Sequence, residues 1–292
     1  MNSIPGPPIL LGLIGHGIQA SRTPRVHEQE AAEHGLRCVY KLIDLEQLRL
    51  TVADLADLLL AAERMGFDGL NITHPCKQAV IPLLHELSPE AAAIGAVNTV
   101  VFSNRRRIGH NTDRLGFAKN FRAGLAGADT SHVVQIGAGG AGAAVAHALL
   151  SLGTGRLAIV DADPDRARAL ASGLAAHYGP ARATATTDIA AAMAAATGLV
   201  NATPMGTAQH PGLPIAAALL RSSLWVAEIV YFPLETALLR EARARGCRTM
   251  DGGGMAVFQA VEAFRLFTGG TPDAARMRRH FLAMDPQQEV NR

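Results

Sequence analysis

The stretch that decides the fold lies near the middle of the chain, where residues 133–142 read Val-Val-Gln-Ile-Gly-Ala-Gly-Gly-Ala-Gly. A short apolar strand therefore runs directly into the pattern Gly137-x-Gly139-x-x-Gly142. A glycine-rich turn that opens a helix lets backbone N–H groups approach a pyrophosphate, whose negative charge the helix N-terminus favours. The pattern predicts a dinucleotide site, although a tight strand-to-helix turn without a ligand would need the same glycines.

The acidic residue after the next strand supports this prediction. Residues 157–160 form an apolar stretch, and Asp161 follows it at the spacing where a carboxylate accepts hydrogen bonds from an adenosine ribose. A carboxylate there repels a 2′-phosphate, and no arginine follows at once. Arg166 and Arg168 come later on a predicted helix, where a solvent-exposed face is the alternative, although Arg166 could reach the adenosine edge. We therefore expect NAD in preference to NADP.

Length and composition limit the class of protein. A chain of 292 residues is long for one hydrophobic core, which favours two domains. A net charge of +2 gives no reason to expect nucleic acid or an anionic membrane as a partner. The cysteines at 38, 76 and 247 form no CxxC pair, which indicates reduced thiols and no metal site. The apolar residues 9–14 are too few for a signal peptide or a membrane span, so we expect a cytoplasmic protein.

Alternating strands and helices predict a first α/β domain over residues 1–112. Residues 97–102 and 108–112 are predicted to pair as a hairpin near its end. Residues 77–87 are predicted to form one helix.

The rest of the chain predicts a Rossmann-like nucleotide-binding domain over residues 113–251. Two further helices, at 255–268 and 272–284, have no strand of their own to cover. We expect them to pack back on the first domain, so that a substrate-binding domain comprises residues 1–112 and 252–292.

The segment Asn71-Ile72-Thr73-His74-Pro75-Cys76-Lys77 follows a predicted strand, at the end where α/β folds bind ligands. Lys77 is one of three lysines in a chain with 24 arginines. A partly buried lysine can give up a proton near neutral pH and an arginine cannot, so Lys77 is a candidate acid–base group. A solvated lysine at a helix start is an equal alternative. His74 is a second acid–base candidate.

Two more polar segments allow both a binding role and a capping role. Asp113 could pair with Lys77 across a cleft, or cap the helix that follows it. Ser21 and Thr23, with the N–H groups of the next helix, would suit a carboxylate, or could simply cap that helix.

In their order and spacing, these segments resemble the shikimate dehydrogenase family over nearly the whole chain. The pieces that carry the resemblance are Ser21-Arg22-Thr23-Pro24 with His27, Asn71 to Lys77, Gly95-Ala96-Val97-Asn98-Thr99, Asn111-Thr112-Asp113, Gly137 to Gly142, Asn201-Ala202-Thr203-Pro204-Met205-Gly206, Tyr231-x-Pro233, and Gly254-Met255 with Gln259.

The resemblance implies roles for particular residues. Lys77 and Asp113 match the catalytic pair, and Ser21 and Thr23 match the residues that hold the substrate carboxylate. The ring hydroxyls are expected to bind Asn71, Thr73, Asn98, Asp113 and Gln259. The expected cofactor contacts are Gly137, Ala138, Gly139, Gly140, Ala141, Gly142, Asp161, Arg166, Thr203, Pro204, Met205, Ile229, Tyr231 and Gly252.

Departures from the usual family pattern indicate one branch of it. Thr23 replaces the more common serine, and Asp161-Ala162-Asp163 replaces the basic stretch typical of NADP-using members. Both are similar to the quinate/shikimate dehydrogenase branch, which uses NAD. Glu228 stands where aspartate is common and Cys76 where an aromatic residue is common, and neither change has an explanation from the sequence.

The resulting expectation is an NAD-dependent enzyme that interconverts shikimate and 3-dehydroshikimate, and quinate and 3-dehydroquinate, by hydride transfer. Its partner is a polyhydroxylated cyclic carboxylate, and the protein is a monomer or homodimer without a metal. The alternatives are a biosynthetic NADP-dependent shikimate dehydrogenase, an aminoshikimate or aminoquinate dehydrogenase, and a non-catalytic dinucleotide-binding module.

Overall fold

The structure, a computed structural model, describes residues 8–284 and divides the chain into two compact units. The first unit comprises Met1–Thr112 and Gln259–Arg292, and the second comprises Asp113–Phe258. Each unit is built on its own six-stranded sheet.

The sheet of the first unit is mixed. Its strands are β1 (Ile9–Gly15), β2 (Cys38–Asp44), β3 (Gly69–Ile72), β4 (Glu86–Leu87), β5 (Thr99–Ser103) and β6 (Arg106–His110). They lie in the order β2-β1-β3-β5-β6-β4. The first three strands run parallel, and β5 and β6 form an antiparallel hairpin beside β3. The predicted hairpin is therefore confirmed.

The sheet of the second unit is parallel throughout. Its strands are β7 (His132–Ile136), β8 (Arg156–Val160), β9 (Ala183–Ala185), β10 (Gly198–Asn201), β11 (Trp225–Glu228) and β12 (Arg248–Met250). The order β12-β11-β10-β7-β8-β9 reverses direction at β7, which is the Rossmann arrangement. In such sheets ligands bind at the carboxyl ends of the strands beside this switch point. The glycine pattern follows the carboxyl end of β7.

The helices of the first unit precede and follow the second unit in the chain. Those that precede it are α1 (Thr23–Glu33), α2 (Leu45–Leu48), α3 (Leu55–Arg64), α4 (Cys76–Ala79) and α5 (Pro89–Ile94). The second unit contains α6 (Asp113–Gly124), α7 (Gly140–Ser151), α8 (Pro164–Tyr178), α9 (Ile189–Ala195) and α10 (Ala237–Ala244). The chain then passes from the second unit to the first within α11 (Gly253–Thr268) and ends its described part with α12 (Ala274–Ala283).

The last helix packs on the first unit, as expected from the sequence. The buried Glu30 of α1 accepts hydrogen bonds from Arg276 Nε at 2.9 Å and Nη2 at 2.7 Å, and from the amide of Asp273 at 2.8 Å. Arg22, also buried, donates to the carbonyl of Phe281 at 3.2 Å. A buried carboxylate with so many donors fixes α12 against α1.

One local prediction is wrong. Residues 77–87 do not form one helix: α4 ends at Ala79, a 3₁₀ turn covers Ile81–Leu83, and β4 then pairs with β6. Pro82 has no N–H to continue the helix, and the strand pairing offers the later residues another set of backbone partners. Asp113, for which the sequence allowed a capping role, is the first residue of α6.

Across residues 8–284, no helix is both long enough and apolar enough to cross a membrane.

Candidate functional site

In the first unit, Asn98 is the centre of a buried polar network. Its Oδ1 accepts from the Thr112 amide at 2.8 Å and from Thr99 Oγ1 at 3.0 Å. Its Nδ2 donates to Thr112 Oγ1 at 2.9 Å and to Gln259 Oε1 at 3.4 Å. Since Gln259 is 161 positions away in sequence, the fold brings together two residues that the sequence predicted for hydroxyl binding.

Asn71, the residue before the last of β3, belongs to the same network. Its Nδ2 donates to Thr99 Oγ1 at 3.1 Å and to the Asn98 carbonyl at 3.3 Å. Its Oδ1 accepts from Tyr40 Oη at 2.7 Å. Because these bonds occupy the amide protons, Asn71 is held with its oxygen as the group that can accept from a further hydroxyl.

Tyr40, which orients Asn71, is a residue of this network that no motif in the sequence indicated. It lies on β2, and its side chain is buried. Its ring lies 5.1 Å from that of His27, which packs also against Phe264 and Phe267. Burial lowers the pKa of His27 to about 4, so this histidine is a neutral packing residue at physiological pH. No sequence pattern pairs positions 40 and 71.

Ser21 and Thr23 lie at the start of α1. The Thr23 amide donates to Ser21 Oγ at 3.3 Å, while Arg22 is the capping position and its side chain makes no capping bond within the described chain. The alternative role predicted for these hydroxyls was to cap α1. That role explains the one hydrogen bond of Ser21 Oγ and gives no hydrogen bond to the hydroxyl of Thr23.

Lys77 is the second residue of α4, which begins directly after the cis peptide bond between His74 and Pro75. Its carbonyl accepts from the Val97 amide at 2.8 Å, which ties this short helix to the residue before Asn98. Lys77 is partly buried, whereas His74 is exposed. Asp113 is buried and directly follows Thr112 in the chain. The pairing of Lys77 with Asp113 stays a prediction.

In the second unit, the glycine turn has the shape that a pyrophosphate needs. Gly137 has a φ of +105°, and a Cβ on it would lie 2.6 Å from the Ala202 carbonyl oxygen. A Cβ on Gly142 would lie 2.3 Å from the carbonyl oxygen of Gly137. Gly139, the capping residue of α7, is different, because a Cβ there meets no described atom within 4 Å. The turn thus leaves open space beside the start of α7, which fits a dinucleotide phosphate.

The side chain of Gln135 stabilises this turn through two hydrogen bonds. The side chain is fully buried, and Nε2 donates to the carbonyls of Gly137 at 2.8 Å and Gly142 at 2.9 Å. The sequence contained a signal for this role, a single polar residue inside the apolar run Val133–Ile136, but its meaning depends on the three-dimensional turn.

Asp161 connects the end of β8 to the glycine turn. Its Oδ2 accepts from the Ala138 amide at 2.7 Å, and its Oδ1 accepts from the Asp163 amide at 2.9 Å. Arg166 Nη1 lies 3.8 Å from Asp161 Oδ1, and Arg166 Nη2 lies 3.9 Å from Asp163 Oδ2. Asp163 also caps α8 by accepting from the amides of Asp165 and Arg166. Asp161 thus lies at the end of the strand that follows the glycine motif, which is where dinucleotide-binding folds carry the acidic residue that recognises a ribose.

The remaining predicted cofactor residues lie on loops at the same edge of the second sheet. A Cβ on Gly137 would lie 3.0 Å from Thr203 Cγ2, and a Cβ on Gly252 would lie 2.5 Å from the carbonyl oxygens of Ile229 and Val230. The second unit therefore brings together the glycine turn, the segment that holds Thr203, Pro204 and Met205, and the segment that holds Ile229 and Tyr231. Among residues 8–284, no group of three or more His, Cys, Asp or Glu side chains is arranged to hold a metal ion.

The Rossmann sheet and glycine turn define a dinucleotide-binding protein, and comparison with known proteins identifies the family. The family model described as the shikimate dehydrogenase substrate binding domain matches residues 13–100, and the shikimate 5′-dehydrogenase C-terminal domain matches residues 252–280. A shikimate dehydrogenase (NADP(+)) of Streptomyces avermitilis is 58% identical over 92% of this chain and 93% of its own length. The chain belongs to the shikimate dehydrogenase family.

Relatives that are named for NAD are also similar. A quinate/shikimate dehydrogenase (NAD(+)) of Corynebacterium efficiens is 51% identical over 94% of this chain and 98% of its own length. The solved structure of quinate dehydrogenase from Corynebacterium glutamicum in complex with NAD has a TM-score of 0.87 at 49% identity, and it covers 95% of this chain and 99% of that one. The predicted family and fold class are therefore confirmed.

Proposed function

We propose that this protein is an NAD-dependent dehydrogenase that oxidises quinate and shikimate at a ring hydroxyl. Its family makes it an oxidoreductase that binds a nicotinamide dinucleotide. The observation that carries the proposal on the substrate side is the network around Asn98. It joins Asn71 and Gln259 through hydrogen bonds and so offers a preorganised set of polar groups to a polyhydroxylated ring.

The proposed chemistry assigns separate tasks to the residues predicted for substrate binding and catalysis. Ser21 and Thr23 bind the substrate carboxylate, and Asn71 accepts a hydrogen bond from a ring hydroxyl. Lys77 takes the proton of the reacting hydroxyl through its Nζ, with Asp113 as the carboxylate that orients that hydroxyl and the lysine. A bound nicotinamide would supply the hydride acceptor for the carbon that carries this hydroxyl. The products are a ketone, a reduced nicotinamide and a proton held by Lys77.

The preference for NAD is supported by the charges after β8. Asp161 and Asp163 present two carboxylates near the position of the ribose, and the nearby Arg166 lies close to both. A 2′-phosphate would meet these negative charges, and Asp163 already occupies the amides of Asp165 and Arg166 that would favour an anion. We propose that this arrangement selects the free 2′-hydroxyl of NAD.

A second candidate function is that of an NADP-dependent shikimate dehydrogenase. The specific observation in its favour is the 58% identity to the Streptomyces avermitilis relative, whose name specifies NADP(+). A steady-state assay of nicotinamide absorbance, with quinate and shikimate each crossed against NAD and NADP, separates the two. Higher kcat/KM with NADP for both substrates would overturn the NAD proposal.

The role of Lys77 is tested with Lys77→Ala. General acid–base help is worth about 10² to 10⁴ in rate, so kcat should fall by that factor while KM changes little. Lys41→Ala is the matched control, because Lys41 is an exposed lysine on β2. An unchanged kcat with a raised KM would assign Lys77 to binding alone.

A further inference from the structure

Glu228 is a buried carboxyl group that the proposed mechanism does not use. It is the last residue of β11, and its exposed fraction is 0%. Oε1 accepts from Asn201 Nδ2 at 2.9 Å and from the Val230 amide at 3.0 Å. Oε2 accepts from Asn201 Nδ2 at 3.0 Å and from Thr236 Oγ1 at 3.1 Å. Burial raises the pKa of Glu228 to about 7, so this carboxyl costs the fold energy when ionised.

Asn201, the first partner of Glu228, shapes the segment that contains Thr203 and Met205. Its Nδ2 also donates to the Met205 carbonyl at 2.9 Å. Its Oδ1 accepts from the Thr203 amide at 3.1 Å and from Thr203 Oγ1 at 2.6 Å, and the Met205 amide donates to Thr203 Oγ1 at 3.1 Å. The conformation of residues 201–205 therefore depends on the orientation of one amide, which the carboxylate of Glu228 fixes.

The other two partners lie on the segment after β11. Val230 is the residue between Ile229 and Tyr231, so the bond to its amide fixes the backbone that carries both. Thr236 caps α10 by accepting from the Leu239 amide at 3.3 Å. Glu228 thus connects the two loops at the ends of β10 and β11 with the helix that follows them. An amide or hydroxyl side chain could fill the same space with a smaller desolvation penalty. A carboxylate, however, accepts hydrogen bonds from Asn201, Val230 and Thr236 at the same time.

We propose that Glu228 is a positioning residue for the dinucleotide, holding residues 201–205 and 229–231 in the arrangement that binds the nicotinamide half. This inference rests on the proposed function, which assigns Thr203, Met205, Ile229 and Tyr231 to the cofactor. Glu228 itself touches neither substrate nor cofactor and acts through Asn201 and the Val230 amide.

The test compares Glu228→Gln with the unaltered protein. Glutamine has the same length, but its NH₂ group cannot accept from Asn201, so the amide of Asn201 loses part of its orientation. We expect the Kd for NADH, titrated by fluorescence, and the KM for NAD to rise roughly fivefold. The kcat at saturating NAD and quinate and the KM for quinate should stay within about twofold.

Leu174→Ala is the control for a merely structural effect. Leu174 is fully buried on α8, outside residues 201–205 and 229–231, so its truncation destabilises the second unit without altering a residue of either loop. It should lower the unfolding temperature and leave the Kd for NADH unchanged. A double variant with Asn201→Ala should lose less NADH affinity than the two single losses added together, because both changes break the connection between Glu228 and Asn201.

The positioning role is overturned if Glu228→Gln binds NADH with an unchanged Kd, or if kcat at saturation falls while the KM for NAD does not. Binding by the unaltered protein is measured first with NADH and NADPH. If only NADPH binds, the proposed choice of NAD fails, and the same comparison with NADPH still tests Glu228. If neither binds, the proposed function fails, and with it the basis for the role of Glu228.

Discussion

Two glycines of the same motif should respond to alanine in opposite ways. A Cβ on Gly142 would lie 2.3 Å from the Gly137 carbonyl oxygen and 2.9 Å from its carbon. An ordinary contact is about 1 Å longer, so the turn must open. Opening it strains the bonds from Gln135 Nε2 to the carbonyls of Gly137 and Gly142. Overpacking costs roughly 1–3 kcal/mol and a weakened buried hydrogen bond about 1 kcal/mol, so Gly142→Ala should lose about 3 kcal/mol.

Gly139→Ala should instead fold normally and bind the dinucleotide poorly. Its φ of −73° suits alanine, and a Cβ there meets no described atom within 4 Å. The weaker helix cap and the reduced entropy of the unfolded chain nearly cancel, so stability should change by less than about 0.5 kcal/mol. The new methyl group occupies the space beside the N–H groups of α7, so the Kd for NADH should rise at least about tenfold.

Urea unfolding followed by circular dichroism measures the first effect, and titration of NADH fluorescence measures the second. The reasoning is refuted if Gly142→Ala unfolds at the same urea concentration as the unaltered protein. It is also refuted if Gly139→Ala binds NADH normally, because Gly139 would then not border the cofactor.

Three more predictions concern single polar contacts. Tyr40→Phe removes the hydroxyl that donates to Asn71, so the KM for quinate should rise roughly three- to tenfold while the Kd for NADH stays unchanged. Equal KM values for the variant and the unaltered protein would contradict this prediction. Arg276→Ala leaves the buried Glu30 short of its main donor and should cost roughly 3 kcal/mol in urea unfolding, whereas a loss below about 1 kcal/mol would mean that the pair is solvated. Glu228, whose folded pKa of about 7 exceeds the unfolded value of 4.5, stabilises the protein fully below pH 4.5 and loses that contribution as pH rises through 7. Relative to Glu228→Gln, the unaltered protein should lose up to about 3 kcal/mol between pH 4.5 and 8, and parallel pH curves would disprove the shift.

Local pattern was sufficient for much of the fold. The strand before the glycines, the helix after them and Asp161 follow from short-range rules, because glycine, charge and hydrophobic period act on neighbours in sequence. The helix predicted over residues 77–87 shows where such rules fail. Its later residues pair as β4 with β6, and the partners Ile108 and Gly109 lie more than twenty positions away.

The candidate site divides along the same line. Its residue types were predictable, since a lysine among arginines, a glycine turn and an acid after β8 are visible in the sequence. The side chains that orient the site residues could not be predicted. Tyr40 contacts Asn71 and Glu228 contacts Asn201 from different strands, and no local pattern records these pairs.

By itself, the sequence determined the class of the second unit, the position of its glycine turn and the acid that follows β8. Only the tertiary structure decided that Gln135 braces the turn, that Asp161 is bonded to it and that Glu228 joins two loops. The physical reason is that a buried polar group must form hydrogen bonds with whichever groups the fold places beside it. Those groups are often far away in sequence, so a local pattern does not reveal them.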